Sequence, residues 1–415
     1  MLLNKYTFLK LSILFSNIQS FVPLTIIKGL LFTNIFIFLQ VLYDLVFRPR
    51  LFVWIVFAFC VFFIMYSFWQ LAVQFYYLAT NPSYYSENLI FISNGDDLSF
   101  KLSLFTQSIY LFFCVIFFLY IYRYVLTEDN SLSKLIFLVK IGLIFYIGYG
   151  FFEWVMFILT GVNYDVLSNR ITGEGFHYGL YQYISLGGMD LMRFKSLAGE
   201  PSMFAYTVVP FFILFYYLKD QFWIVLLLAL VLSTSTTFIL GILVFLVFDL
   251  LFIRRTFFLI MFFSFFVVVS ALVFNEVLYS FIDFTLSKLT LTHESGSERF
   301  DNFIVHFNAW INSDLFHFIF GHGFGYVRST DYLSSVLFNV GILGFLIITI
   351  LFFYPIKSLL LNRDNLSYGL AGGLVSIYFM MMLSVSEFFY FHIWLFLAIS
   401  WAFTLRKDKY AVCER

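Results

Sequence analysis

The chain is 415 residues long, 62% hydrophobic and only 12% charged, with a formal net charge of zero. Soluble domains carry about 25% charged and 45–50% apolar residues, so this composition excludes a soluble globular protein, and the balanced charge offers nucleic acid no basic surface. The mean hydropathy of +0.93 and long continuous apolar runs predict an all-α polytopic membrane protein. A helix satisfies its own backbone in lipid, and the runs lack the alternation over about ten residues that marks barrel strands.

At the start, Lys5 and Lys10 accompany an apolar stretch that Ser16, Asn17, Gln19 and Ser20 soon interrupt. No small-residue cleavage site follows, so the stretch reads as a retained first span. A span takes about twenty apolar residues. That predicts about twelve membrane helices (10–12) in a single integral domain, 1–415. They lie near 7–22, 24–46, 51–79, 102–126, 134–160, 201–218, 221–235, 237–253, 256–280, 333–356, 366–385 and 388–405. Basic breaks at Arg48-Pro49-Arg50, Arg123 with Lys134, Lys219, Arg254-Arg255, Lys357 with Arg363 and Arg406-Lys407 set the orientation. With all of them cytoplasmic, both termini are cytoplasmic. The polar stretches 80–101, 161–200 and 281–332, with the turn at Ser386-Glu387, then lie on the outer side.

This scheme requires the run 221–253 to reverse once. Ser233-Thr-Ser-Thr-Thr237 falls where the reversal belongs, with hydroxyls to satisfy freed backbone groups. The alternative is one long tilted helix. Glu153 sits in an apolar run, where an ionisable group is costly and tends to be functional, unless it lies near enough the interface to be solvated. Asn94-Gly-Asp-Asp97 reads as a turn rather than a metal site. Cys60, Cys114 and Cys413 show no disulfide or metal spacing.

No Walker loop and no dinucleotide-binding glycine loop is present. His177, His293, His306 and His317 are scattered without ligand spacing, so neither metal nor cofactor is expected. A transferred group would have to bring its own energy, most naturally as a lipid-linked phosphate or pyrophosphate. Arg193 and Arg299 are the natural grips for such a group, because guanidinium binds phosphate through paired planar hydrogen bonds. The competing role for each is a loop ion pair with Glu200 or Glu298. Glu200-Pro201-Ser202 makes a good helix entry, and Glu200 is also placed to orient Arg193 or to contact sugar hydroxyls. His322, between two glycines, and Asp331 are the candidate bases for a hydroxyl nucleophile. His322 as a surface loop residue and Asp331 as a helix cap are the alternatives.

Arg193-Phe-Lys-Ser-Leu-Ala-Gly-Glu-Pro-Ser202 resembles the segment after the large outer loop of bacterial O-antigen and capsular polysaccharide polymerases of the Wzy type. Ser233-Thr-Ser-Thr-Thr237, Gly296-Ser-Glu-Arg299, Phe320-Gly-His-Gly-Phe-Gly325, Asp331-Tyr-Leu and Gly341-Ile-Leu-Gly344 follow in that family's order. The match covers roughly residues 161–405; the N-terminal third is similar in hydropathy alone. The resemblance implies a GT-C-like fold with two large extracytoplasmic loops in a bacterial inner membrane. It implies metal-independent, inverting transfer of a glycan from undecaprenyl pyrophosphate to the next lipid-linked repeat, with Arg193 and Arg299 on the donor pyrophosphate. A chain-length regulator and a flippase would be partners. Related ligases carry histidine where Asp331 stands, which leaves the base open between Asp331 and His322, and Thr236 stands where members often have arginine. A ligase of the same superfamily is the nearest rival. A lipid-linked glycan flippase or other transporter is the rival from another class; charge concentrated in outer loops rather than along spans disfavours it.

Overall fold

The computed structural model describes residues 5–20, 31–80, 89–93, 99–161, 183–186, 189–253 and 294–413. Outside them fall the predicted span 256–280, the start of the span 24–46, most of the 161–200 stretch, Asp96-Asp97, His177 and His293. The described residues are helical apart from one hairpin and short connections. The helices are α1 (Thr7–Leu14), α2 (Phe32–Phe47), α3 (Pro49–Thr80), α4 (Leu102–Thr127) and α5 (Ser131–Thr160). After the hairpin come α6 (Pro201–Tyr217), α7 (Phe222–Ser233), α8 (Thr236–Phe252), α9 (Glu294–Ile311), α10 (Leu315–Phe320), α11 (Tyr332–Asn362), α12 (Asn365–Leu383) and α13 (Phe391–Cys413). The hairpin pairs β1 (Tyr183–Leu186) with β2 (Met189–Met192) antiparallel.

Five of these helices, α3, α4, α5, α11 and α12, are long and apolar enough to cross a membrane, and the chain is a helical membrane protein. The other apolar helices are shorter. At 1.5 Å per residue α7 and α8 rise about 18 and 25 Å, less than the roughly 30 Å of a hydrocarbon core. The expected span 7–22 is shorter than its composition predicts. α1 stops at Leu14, and Ser12 and Ser16 turn their hydroxyls onto the carbonyls of Leu9 and Ile13, both at 2.7 Å. The 281–332 stretch is largely helical over the part described, as α9 and α10.

The chain divides into two compact units. The first comprises Met1–Leu143, Asp301–Ser358 and Met381–Arg415. Here α13 runs along α4, with Phe117 edge-on to Phe391 at 5.1 Å and Phe118 edge-on to Trp394 at 6.4 Å. By contrast α3 exposes Phe57, Met65 and Phe68, as a lipid-facing helix does.

α11 is kinked at Gly341, where φ is 66°. Helix carbonyls just before such a break lack an in-helix partner. The segment after α10 supplies one: His322 N donates to Phe338 O at 3.0 Å and Gly323 N to Asn339 O at 2.8 Å. The two backbones cross so closely that a Cβ on Gly341 would overlap the Ile319 carbonyl, and one on Gly321 the backbone of Asn339. Gly341→Ala should therefore cost about 1–3 kcal/mol from the left-handed φ alone, with the overlap added. Thermal melting in detergent checks it, against Gly148→Ala, whose Cβ meets nothing within 4 Å. Equal melting of the two variants would disprove the tight crossing.

The second unit comprises Ile144–Phe300 and Leu359–Met380. Ring contacts fix the direction of its helices. Phe215 meets Phe222 at 5.4 Å and Phe212 meets Trp223 at 6.2 Å, so α7 starts beside the end of α6. It finishes beside the segment that leads into α6, where Phe194 N donates to Leu232 O at 3.0 Å. α8 then descends again: Gly241 lies against Val209, Phe245 against Phe212 at 6.0 Å, and Asp249 accepts from the Tyr217 hydroxyl. The predicted reversal is thus present, and one long helix over 221–253 is excluded. It turns on Thr234, at φ 47°, and on extended Ser235, whose Oγ accepts from Thr237 N at 3.2 Å. Gly369 and Gly372 let α12 approach Leu214 on α6 and Phe248 on α8.

Candidate functional site

In the second unit, Arg193 meets the reversal between α7 and α8. Ending α7 after twelve residues leaves carbonyls without an in-helix partner. Arg193 supplies one. Its Nε donates to Ser233 O at 3.2 Å and to Thr234 Oγ1 at 3.1 Å, and its Nη2 donates to Thr234 O at 3.1 Å. A cation at a helix C-terminus is favoured by the dipole as well. Carbonyl and hydroxyl partners carry no formal charge. These three bonds orient the guanidinium.

The residues around Arg193 hold it in place. Trp154 Nε1 donates to Met192 O at 3.1 Å. The Phe194 ring packs edge-on between Phe151 and Phe204, at 5.0 and 5.1 Å, in a space that Gly150 leaves open. Ser196 Oγ donates to Tyr146 O at 2.5 Å. Lys195 Nζ lies 2.9 Å from Glu153 Oε1, both side chains 1% exposed. Glu153 in its apolar run is therefore a buried ion-pair partner.

Arg193 is 8% exposed. Burial first, then the neighbouring Arg299 charge, lowers its pKa to about 10, and Glu200 acts in the opposite sense. All three residues belong to the second unit, and Arg299 and Glu200 both act on Arg193. Glu200 sits at the extended residue before α6, which Pro201 opens as predicted. Its side chain does not cap that helix, and Oε2 accepts from Ser202 Oγ at 3.4 Å. Arg299 is half-buried on α9.

The two candidate bases belong to the first unit. His322 is not a surface residue: it is 3% exposed and stacked between His317, at 4.2 Å, and Phe338, at 4.3 Å. Neither ring nitrogen of His322 has a hydrogen-bond partner. Burial, and after it His317, lowers its pKa to about 3, which makes it a weak base at neutral pH. Of its flanking glycines, read as room for a ligand, Gly321 serves the approach to α11 and Gly323 faces Gln74 on α3 and Leu104 on α4. Asp331 caps α11: Oδ1 accepts from Ser334 N at 2.7 Å, and Oδ2 accepts from Ser334 Oγ at 2.7 Å and Ser329 Oγ at 2.9 Å. Behind His322, Asp314 Oδ2 meets His317 Nδ1 at 2.5 Å. Among the described residues, no three His, Cys, Asp or Glu side chains are grouped to hold a metal ion.

Sequence reasoning did not find the Lys195–Glu153 pair, the Thr234 acceptor or the ion pair between Arg328 and Glu387. The isolated Glu153 was the one signal available for the first. No protein-family model matches the chain, and no curated protein matches it either.

Proposed function

We propose that the chain polymerises undecaprenyl-pyrophosphate-linked oligosaccharide repeats into a surface polysaccharide at the outer face of a bacterial inner membrane. In this reading it is a GT-C-type protein of about twelve spans with both termini cytoplasmic. The observation that carries the proposal is the Arg193 guanidinium held at the turn after α7 by Ser233 and Thr234, with the charge of Arg299 acting on it. Two guanidiniums within one another's field repel, and a pyrophosphate between them relieves the repulsion and gains planar, charge-assisted bonds. The ordered motifs shared with O-antigen and capsular polysaccharide polymerases supply the substrate class.

The chemistry follows from that placement. An acceptor hydroxyl attacks the anomeric carbon of the donor glycan, the bond from that carbon to the phosphate oxygen breaks with inversion, and undecaprenyl pyrophosphate leaves with the electron pair. Arg193 and Arg299 stabilise the charge that develops on it, a contribution of about 10²–10³ per oriented donor. The hydroxyl proton goes to a carboxylate. We assign that role to Glu200, which acts on Arg193 from the start of α6, while Asp331 is engaged in capping and His322 binds protons weakly.

A glycan ladder from cells lacking the chain tests the reading. Collapse to lipid core bearing one repeat is the expected result. Loss of all capped core, with polymer accumulating on undecaprenyl pyrophosphate, would make the chain a ligase. An unchanged ladder would remove it from polysaccharide assembly.

A further inference from the structure

In the first unit, α3 runs free of charged and amide residues from Leu51 to Trp69. At 1.5 Å per residue that stretch rises about 28 Å, close to the roughly 30 Å of a hydrocarbon core. Gln70, Gln74 and Tyr76 then stand at the membrane interface, the depth that tyrosine favours. α10 and the residues after it are docked on this end of α3. Trp69 Nε1 donates to Phe320 O at 3.2 Å, Gln74 Nε2 donates to His322 O at 2.8 Å, and the Tyr76 ring stacks on Phe316 at 4.0 Å. α10 is thus fixed at interface depth.

The end of α9 is tied to α10. Trp310 stacks on Phe318 at 4.5 Å, and its Nε1 donates to Phe318 O at 3.1 Å. From Asp301 onward α9 buries His306 and Trp310, and Val305 and Ala309 pack on the hydrophobic core around Tyr326 and Leu337. A different stripe of the helix faces outward. Ile304 is 36% exposed and Ile311, about two turns later on the same stripe, is 50% exposed. Leu315, which opens α10, is 76% exposed. Asn308 and Asn312 are exposed along the flank of that stripe.

We infer that α9 from Ile304 onward and the start of α10 ride on the membrane surface, with Ile304, Ile311 and Leu315 dipped among the acyl chains and the asparagines among the headgroups. Two observations name lipid as the partner. α3 still exposes Phe75 and Leu78 beyond Gln74, so lipid reaches the level at which α10 is docked. The stretch 301–317 contains no Lys or Arg, so the basic face that draws such helices to anionic headgroups is absent here. The contact is therefore apolar and fits a neutral lipid surface. The inference uses the membrane character of the chain and not the polymerase reading.

The test uses the full chain in phosphatidylcholine nanodiscs, with Cys60, Cys114 and Cys413 replaced by alanine. A single nitroxide is attached through Ile304→Cys, Asn308→Cys, Ile311→Cys, Asn312→Cys or Leu315→Cys. All five positions are exposed, so the label displaces no packing, and size-exclusion profiles matching wild type check the fold. Spin resonance then reads collisions with oxygen, which concentrates in lipid, and with a nickel chelate, which stays in water. Oxygen should exceed nickel at 304, 311 and 315, as at the lipid-facing control Phe68→Cys, and nickel should exceed oxygen at 308 and 312. Adding phosphatidylglycerol should leave this pattern unchanged. Nickel excess at all five positions would put the face in water and overturn the inference. Few collisions with either reagent at 304, 311 and 315 would show a protein cover, such as a second copy, and would overturn it as well. An oxygen excess that arose only with phosphatidylglycerol would overturn the neutral-lipid contact.

Discussion

Arg193→Lys should abolish long glycan chains as completely as Arg193→Ala. Lysine keeps the charge but not the fork. One ammonium cannot reproduce the bonds that Nε and Nη2 make to Ser233 and Thr234 while also presenting two parallel donors to a pyrophosphate. Loss of one oriented donor lowers such rates by about 10²–10³, enough to leave single repeats on a gel. The cap and the grip are separable through Arg299, which is half-buried on α9. Arg299→Ala should collapse the ladder while the melting temperature in detergent stays near wild type. Arg193→Ala should collapse the ladder and lower the melting temperature as well. Full-length chains in Arg193→Lys would remove the guanidinium from catalysis and leave it as a helix cap.

The second large effect concerns Lys195 and Glu153. Both are 1% exposed, so removing one strands a charge in a medium that solvates it poorly. Breaking a buried pair in this way costs about 3–5 kcal/mol, whereas replacing both partners by neutral groups of similar volume is often tolerated. Lys195→Met alone and Glu153→Gln alone should each cut the yield of folded protein sharply. The double variant should recover most of it, as size-exclusion and melting profiles in detergent would show. A double variant as poor as either single would mean that the partners act through other contacts. Lys195 is two residues from Arg193, so any ladder defect in the double variant reports how far the pair positions the guanidinium.

Local features of this fold were readable from the sequence, and long-range pairings were not. Pro201 begins α6, Asp331 caps α11, and the hydroxyl run at Ser233 to Thr237 reverses the chain. Each signal lies within a few residues of the structure it specifies. Arg193 finds its partners 40 and 41 residues away, and no local pattern names a backbone carbonyl as a target. The glycines around His322 show the same limit. Positive φ was foreseeable, at 75° for Gly321 and 120° for Gly323. What approaches them was not, because the kink at Gly341 that receives them is itself a tertiary feature. Length is the less legible part: the expected span 221–235 is present as α7, which ends at the reversal after only twelve residues.

The order of the chain gives the Arg193 contact a consequence for biosynthesis. Synthesis proceeds from the N-terminus, so Glu153, Arg193 and Lys195 are all made before Thr234. When the turn after α7 leaves the ribosome, the side chain that shields its carbonyls is already waiting. The turn therefore never has to form without its partner. A circular permutant that opened the chain between Lys195 and Phe222, and so delivered Arg193 last, would have the same contacts available but no protected route to them.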